Sequence, residues 1–111
     1  MNFVKIIQRV FDSKPRAFLV DEDAGELAKS IETVQSMNID VDGYTDSNKL
    51  LYFLQSAKSN PYSYGVIHEN GSKYKPEMLL NFIKMIDPTI RLIIYKDDHQ
   101  LKSLTENLVL T

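Results

Sequence analysis

The hydrophobic residues of this chain follow two different periods, which predict helices and short strands in alternation. The first segment, residues 2–12, has apolar side chains at i, i+3, i+4, i+7 and i+8, with Gln8 and Arg9 off that face. It predicts an amphipathic helix that ends before Pro15, because the residue before a proline disfavours helical geometry. Continuous or alternating apolar runs then predict four strands over residues 16–20, 39–45, 64–68 and 91–95.

Helix-starting signals fill the intervals between these strands. Asp23, with Glu26 three residues later, predicts one helix start. Asp46 and Ser47 predict the second start, and Pro76 predicts the third. The apolar faces that these three helices would bury are Leu27, Ile31 and Val34; Leu50, Leu51, Phe53, Leu54 and Ala57; and Met78, Leu79, Phe82, Ile83 and Ile86.

The order of these elements predicts an α/β protein with a doubly wound parallel sheet. After the fourth strand, residues 99–106 predict a short helix and residues 108–110 predict a last edge strand. We divide the chain into an N-terminal helix over residues 1–14 and one domain over residues 15–111. The sites of such folds lie where the strands end. The polar residues to consider are therefore 21–23, 68–70 and 95–97.

Composition and charge exclude several classes of partner and site. The chain has 111 residues, with 13 Lys and Arg against 15 Asp and Glu. Without a basic surface, neither nucleic acid nor an anionic membrane is an expected partner. No cysteine is present, which excludes disulfides, thiolate zinc sites and a cysteine nucleophile, and two histidines do not make a multi-histidine metal site. The N-terminal residues do not resemble a signal peptide, so we expect a cytoplasmic protein.

The residues that end the strands resemble those of response-regulator receiver domains, the CheY-like family. Residues 18–23 are similar to the family's first strand with its acidic pair, and residues 66–68 are similar to its third strand. Pro76 comes eight positions after His68, where the family begins its third helix. Residues 87–95 resemble the approach to its fourth strand. The resemblance implies a flavodoxin-like sheet of order 2-1-3-4-5, or one truncated at the fifth strand, in a two-component or phosphorelay signalling module.

Three departures from the family pattern imply that the usual phosphorylation chemistry is lost. His68 stands where the family has its phospho-accepting Asp, Tyr95 or Lys96 stands for its Ser or Thr, and its last Lys and final helix have no counterpart. Aspartyl phosphorylation needs a carboxylate nucleophile and Mg²⁺ held by carboxylates. The resemblance therefore implies a non-enzymatic pseudo-receiver, truncated at its C-terminus, that acts through a protein partner. Its degenerate acceptor pocket would consist of Asp21, Glu22, His68, Glu69 and Lys96.

This pocket leaves several alternatives open. We expect no cofactor, but Asp21 and Glu22 could hold Mg²⁺; the simpler interpretation is that Asp23 caps a helix and Glu22 is solvated. His68 is compatible with a phosphohistidine, a ligand or a pH-sensitive group, although a histidine hydrogen-bonded to a neighbouring carboxylate is simpler. A shift of one residue would place Glu69 in the pocket instead. The alternative functions are a Mg²⁺-dependent phosphoryl acceptor with an unorthodox site and a flavodoxin-like binder of a small ligand.

The N-terminal helix over residues 2–12 is the feature that departs most from receivers, which begin with their first strand. We expect it to lie in the groove that the missing last helix vacates, either within one chain or exchanged between the subunits of a homodimer. The alternative is that the helix projects from the domain and binds another protein through Phe3, Ile7 and Phe11.

Overall fold

A four-stranded parallel sheet lies at the centre of the protein, which we describe over residues 14–110 of a computed structural model. Strands and helices alternate along this part of the chain, as the hydrophobic pattern predicts. In chain order the elements are β1 (Arg16–Val20), α1 (Ala24–Gln35), β2 (Asp40–Tyr44), α2 (Ser47–Ser56), β3 (Tyr64–His68), α3 (Pro76–Ile86), β4 (Arg91–Tyr95) and α4 (Asp98–Leu110).

The four strands lie side by side in the order β2-β1-β3-β4, and neighbouring strands are parallel. This order confirms the predicted doubly wound α/β sheet, ending at the fourth strand. Val20 lies between Tyr44 and Ile67, and His68 is paired with Tyr95. All strands therefore end along one side of the sheet, which we call the carboxyl edge, and begin along the opposite side, the amino edge.

Strand β1 supplies side chains to two separate cores, since successive residues of a strand face opposite sides of the sheet. Phe18 and Val20 pack under α2 and α3, whereas Ala17 and Leu19 pack under α1 and α4. All four are fully buried, which explains why β1 is apolar without alternation. The other buried residues are Leu50, Leu54, Tyr62, Ile67, Leu79, Ile83 and Ile90 on the first side, and Leu27, Val34, Ile39, Val66, Tyr95 and Leu101 on the second.

Short polar side chains start two of the helices, as predicted. Asp23 Oδ1 accepts a hydrogen bond from the backbone N–H of Glu26 at 3.0 Å, and Asp46 Oδ1 accepts one from the backbone N–H of Asn48 at 2.9 Å. Pro76 is the first residue of α3. Each aspartate satisfies a backbone N–H that the helix itself leaves unpaired, so the predicted starts are confirmed.

The last described helix, α4, overturns one prediction. Residues 108–110 continue α4 and do not form an edge strand. The buried Leu101 and Thr105 recur at helical spacing, and the half-buried Leu108 extends the same face. Moreover, α4 packs against β4 and α1. The helix predicted over residues 99–106 is thus present and longer than expected, and it covers the face on which a vacated groove was expected.

The predicted N-terminal helix, residues 2–12, and its contact residues Phe3, Ile7 and Phe11 lie outside the residues that the structure describes. Its helical structure therefore stays a prediction. None of the four described helices is long and apolar enough to cross a membrane.

The buried face of α3 is narrower than its sequence predicts. Leu79 and Ile83 are fully buried against the sheet, but Met78 and Phe82 are 47% and 38% exposed. Phe82 packs edge-to-face against Tyr74, with ring centroids 5.6 Å apart. The prediction that Met78 and Phe82 belong to the core is wrong, because among the described helices only α2 packs beside α3 on this face.

A hydrogen-bonded ion pair joins β1 and β2. Arg16 Nε and Nη2 donate hydrogen bonds to Asp42 Oδ2 and Oδ1, both at 3.0 Å, and the Tyr62 hydroxyl donates one to Asp42 Oδ2 at 2.8 Å. The hydrogen bonds from Arg16 lower the pKa of Asp42 below its ordinary value, against the opposing effect of burial. The ionised carboxylate is therefore favoured in the folded state.

We expect Arg16→Gln to lower the free energy of unfolding at pH 7 by no more than about 1 kcal/mol, since both side chains are partly exposed. Because the pKa of Asp42 is lower in the folded state, this stabilisation is present above the unfolded pKa and is lost as the pH falls through the folded pKa. Urea denaturation at a series of pH values from 7 downward should show the difference between the two proteins shrinking at acidic pH. The final comparison is made at the lowest pH at which both proteins fold. A difference that persists there would contradict the role of this ion pair.

Candidate functional site

The ends of β1 and β3 bring the two central residues of the predicted site to the carboxyl edge. Asp21 directly follows β1, and His68 is the last residue of β3. Backbone hydrogen bonds extend the sheet to these positions: the Asp21 N–H donates to the Tyr44 carbonyl at 3.0 Å, and the Glu69 N–H donates to the Tyr95 carbonyl at 2.8 Å. The site is therefore built on paired backbone, which fixes the direction of its side chains.

Asp21 is a buried carboxylate, with 3% of its surface exposed. Its Oδ1 accepts a hydrogen bond from the backbone N–H of Asp23 at 3.0 Å. Its Oδ2 is buried and has no hydrogen-bond partner among the described residues. His68 Nδ1 lies 3.8 Å from this oxygen, which is beyond hydrogen-bond distance. An unpaired buried carboxylate oxygen costs free energy, so Asp21 Oδ2 makes this edge a candidate functional site.

Both ring nitrogens of His68 have backbone partners. Nε2 lies 3.2 Å from the Lys96 carbonyl oxygen, and Nδ1 lies 3.3 Å from the backbone nitrogen of Asn70. A carbonyl can only accept and a backbone N–H can only donate, so Nε2 carries the proton and Nδ1 accepts. The hydrogen-bond network therefore assigns a neutral imidazole, and it leaves Asp21 Oδ2 without a donor.

The backbone of Gly71 packs closely against the ends of β1 and β3. Its carbonyl accepts from the Glu22 N–H at 2.8 Å, and its own N–H donates to the His68 carbonyl at 3.0 Å. A Cβ at this position would lie 2.9 Å from both Asp21 Cα and His68 Cβ. Only glycine allows the loop after β3 to approach the end of β1 this closely.

Tyr95 packs beside His68 at the end of the neighbouring strand. The two rings meet edge-to-face with their centroids 5.1 Å apart. The hydroxyl of Tyr95 donates to Ser30 Oγ at 2.8 Å on the α1 side of the sheet. Burial raises the pKa of Tyr95 to about 12, opposed by the hydrogen bond with Ser30 and supported by the negative charge of Asp21. Tyr95 is therefore a neutral packing residue, not a hydroxyl directed at His68.

The remaining predicted site residues lie around this pair at the surface. Glu22, Glu69 and Lys96 are all exposed. Lys96 contributes its carbonyl to His68, while its backbone N–H donates to Gln100 Oε1 at 2.8 Å. The structure thus brings together the side chains of Asp21 and His68 and leaves the other three predicted residues at the rim.

The described residues do not fit the Mg²⁺ site that the receiver resemblance implies. Within residues 14–110, no group of three or more His, Cys, Asp or Glu side chains is placed to hold a metal ion. Mg²⁺ prefers oxygen ligands. The side chain that faces Asp21 Oδ2 is His68, which offers nitrogen, and Glu22 and Glu69 are solvent-exposed. We therefore derive no chemistry through Mg²⁺ at this site.

Two residues that shape the site, Asn70 and Gly71, are not part of the predicted acceptor pocket, although Asn70 lies at one of the strand ends that the sequence singles out. The Asn70-Gly71 pair predicts a turn, and a turn is what it forms. The structure adds that the N–H of Asn70 fixes the His68 ring and that the missing Cβ of Gly71 lets the loop close. For Gly71 the available signal was the glycine itself, three residues beyond the strand end.

Three solved structures with a similar fold are response regulators or their receiver domains. A CheY-like receiver domain protein from Methanospirillum hungatei superposes with a TM-score of 0.63 at 13% identity, over 84% of this chain and 76% of that chain. The non-phosphorylated receiver domain of the stress response regulator RcsB from Escherichia coli gives 0.54 at 17%, over 88% and 75%. A response regulator from Thermotoga maritima gives 0.50 at 12%, over 88% and 97%.

No protein-family model matches the sequence, and no curated protein does either. The similarity to solved structures thus shows the fold and not the activity. The domain has a receiver-like, flavodoxin-type architecture, as the residues at its strand ends predict.

Proposed function

We propose that this chain is a receiver-like signalling module that is not phosphorylated at the end of β3 and acts by binding a protein partner in the cytoplasm. The fold supports the signalling role. The observation that carries the proposal is that His68 stands at the end of β3 with both of its nitrogens hydrogen-bonded to backbone. The carboxylate beside it, Asp21, is buried on the neighbouring strand end.

The bonding of His68 also disfavours a phosphohistidine. A nucleophilic nitrogen must offer its lone pair to phosphorus. Nε2 carries the proton that it donates to Lys96, and the lone pair of Nδ1 points at the N–H of Asn70. Neither nitrogen is therefore available for attack without breaking a hydrogen bond that holds the ring.

Intact-mass measurement tests the first half of the proposal. The full chain is incubated with Mg²⁺ and acetyl phosphate or carbamoyl phosphate, beside a response regulator that retains its acceptor Asp as the positive control. We expect the mass of this chain to stay unchanged while the control gains a phosphoryl group, because no carboxylate nucleophile stands at the end of β3. A gain that is abolished by His68→Gln or Glu69→Gln would overturn the proposal in favour of an unorthodox phosphoryl acceptor.

The carboxyl edge is the surface we assign to the partner. Its rim is charged and exposed, with Glu22, Glu69 and Lys96 surrounding the buried pair. We expect Lys96→Glu to reduce capture of a specific partner from the native cell extract at least about tenfold, since charge complementarity selects partners. Lys58→Glu, at an exposed position beyond α2, is the matched control. Equal capture by both variants would contradict binding at the carboxyl edge.

A further inference from the structure

An apolar groove runs between the C-terminal halves of α2 and α3, on the side of the sheet opposite α4. We call it the α2–α3 groove; it has a volume of about 430 Å³. Met85, on its wall, is 83% exposed, and Phe82 is 38% exposed. Large apolar side chains that are grouped at this level of exposure are typical of a surface that contacts another element or a partner. The groove is lined by Leu51, Gln55, Phe82, Met85 and Ile86.

The groove opens at the edge of the sheet where the chain enters the domain. Because α2 and α3 run opposite to the parallel strands, their C-terminal halves lie at the amino edge. The start of β1 lies at that edge as well. The Pro15 carbonyl accepts from the Asp40 N–H at 2.9 Å, and the Arg16 carbonyl accepts from the Ser63 N–H at 2.9 Å. Whatever precedes Lys14 therefore begins at the same edge of the sheet as the C-terminal halves of α2 and α3.

The segment that precedes β1 carries the apolar side chains that such a groove needs. Residues 2–12 have one apolar face at helical spacing, which includes Phe3, Ile7 and Phe11. An α-helix of this length is about 16 Å long. The connecting residues 13–15 span at most about 10 Å, so the helix must stay close to the amino edge.

The opposite side of the sheet offers no comparable surface among the described residues. There α1 and α4 pack against each other. The large hydrophobic side chains that are exposed in residues 14–108 all belong to α2 and α3: Tyr52, Met78, Phe82 and Met85.

We propose that residues 2–12 form a helix that docks into the α2–α3 groove of the same chain, with its apolar face against Phe82 and Met85. The short connection makes this an intramolecular contact of high effective concentration. This inference places the N-terminal segment on the face opposite α4, and it does not depend on the proposed function.

An engineered cysteine pair tests the contact, because the chain contains no cysteine of its own. Ile7→Cys is combined with Met85→Cys in the groove, or with Lys102→Cys on the exposed side of α4 as the control. Under mild oxidation we expect the first pair to form a disulfide at the mass of a monomer and the control pair to stay reduced. A dimer linked through the first pair would overturn the proposal in favour of a second copy. No disulfide in the first pair, or equal disulfides in both, would overturn docking in this groove.

Hydrogen exchange gives a second, independent measurement on the chain without cysteines. Phe3→Asp/Ile7→Asp places two charges on the apolar face, whereas Asn2→Asp/Gln8→Asp places the same two charges off that face. We expect the first variant to exchange the amides of residues 51–56 and 82–86 about tenfold faster than the unchanged chain, because uncovered helix ends open more readily. The second variant should exchange like the unchanged chain. Equal exchange in both variants would contradict the proposal.

Discussion

Gly65→Ala is expected to lower the free energy of unfolding by about 3 kcal/mol, near the upper end for overpacking a protein core. A Cβ at Gly65 would lie 2.5 Å from Leu92 Cδ2 and 2.7 Å from Phe18 Cε1, far inside van der Waals contact. Phe18 is fully buried and packs edge-to-face against Tyr62, so its ring has no space to move away. Urea denaturation followed by circular dichroism measures the loss, which is a large share of the stability of a domain this size.

A second substitution identifies the cause of this loss. Phe18→Leu alone should destabilise the domain, because it removes buried ring atoms and leaves a cavity. In the double variant the added methyl group of Gly65→Ala occupies part of that cavity. We therefore expect the double variant to be more stable than the sum of the single effects by at least about 1 kcal/mol. Strict additivity would show that Phe18 is not what makes Gly65 necessary.

The strands could be predicted from the sequence because a strand that is buried on both faces consists of consecutive apolar residues. The run at residues 16–20 is continuously apolar, and the structure shows β1 between two cores. Helix starts were equally predictable, since Asp23 and Asp46 satisfy local backbone groups whatever the rest of the fold does. Signals of this kind act within a few residues of the chain.

The errors concern features that depend on distant parts of the chain. Residues 108–110 are three consecutive apolar residues, which fit a strand or a buried helix equally well, and packing against α1 and β4 decides for the helix. Met78 and Phe82 have the correct spacing for a buried face, but whether a neighbour covers them is a tertiary property. The bonding of His68 depends on irregular loop backbone, for which the sequence carries no periodic signal.

Substitution of the buried Asp21 at the carboxyl edge is expected to stabilise the domain, in contrast to Gly65→Ala. We expect Asp21→Asn to raise the free energy of unfolding by about 2 kcal/mol, because it replaces a buried carboxylate by a neutral amide of the same shape. The Asn oxygen would continue to accept from the Asp23 N–H, as Oδ1 of Asp21 does now. The group that changes is Oδ2, which is buried without a hydrogen-bond partner among the described residues. Urea denaturation at pH 7 measures the gain.

Asp46→Asn is the matched control for this prediction. It makes the same chemical change at an exposed helix cap, where Asn and Asp are equivalent, so its effect should stay within about 0.5 kcal/mol. A gain at Asp21 that is absent at Asp46 would show that the carboxylate of Asp21 destabilises the fold. Its presence at the carboxyl edge would then not be explained by a contribution to stability. A destabilising effect of Asp21→Asn would instead contradict a costly, unpartnered carboxylate oxygen at this edge.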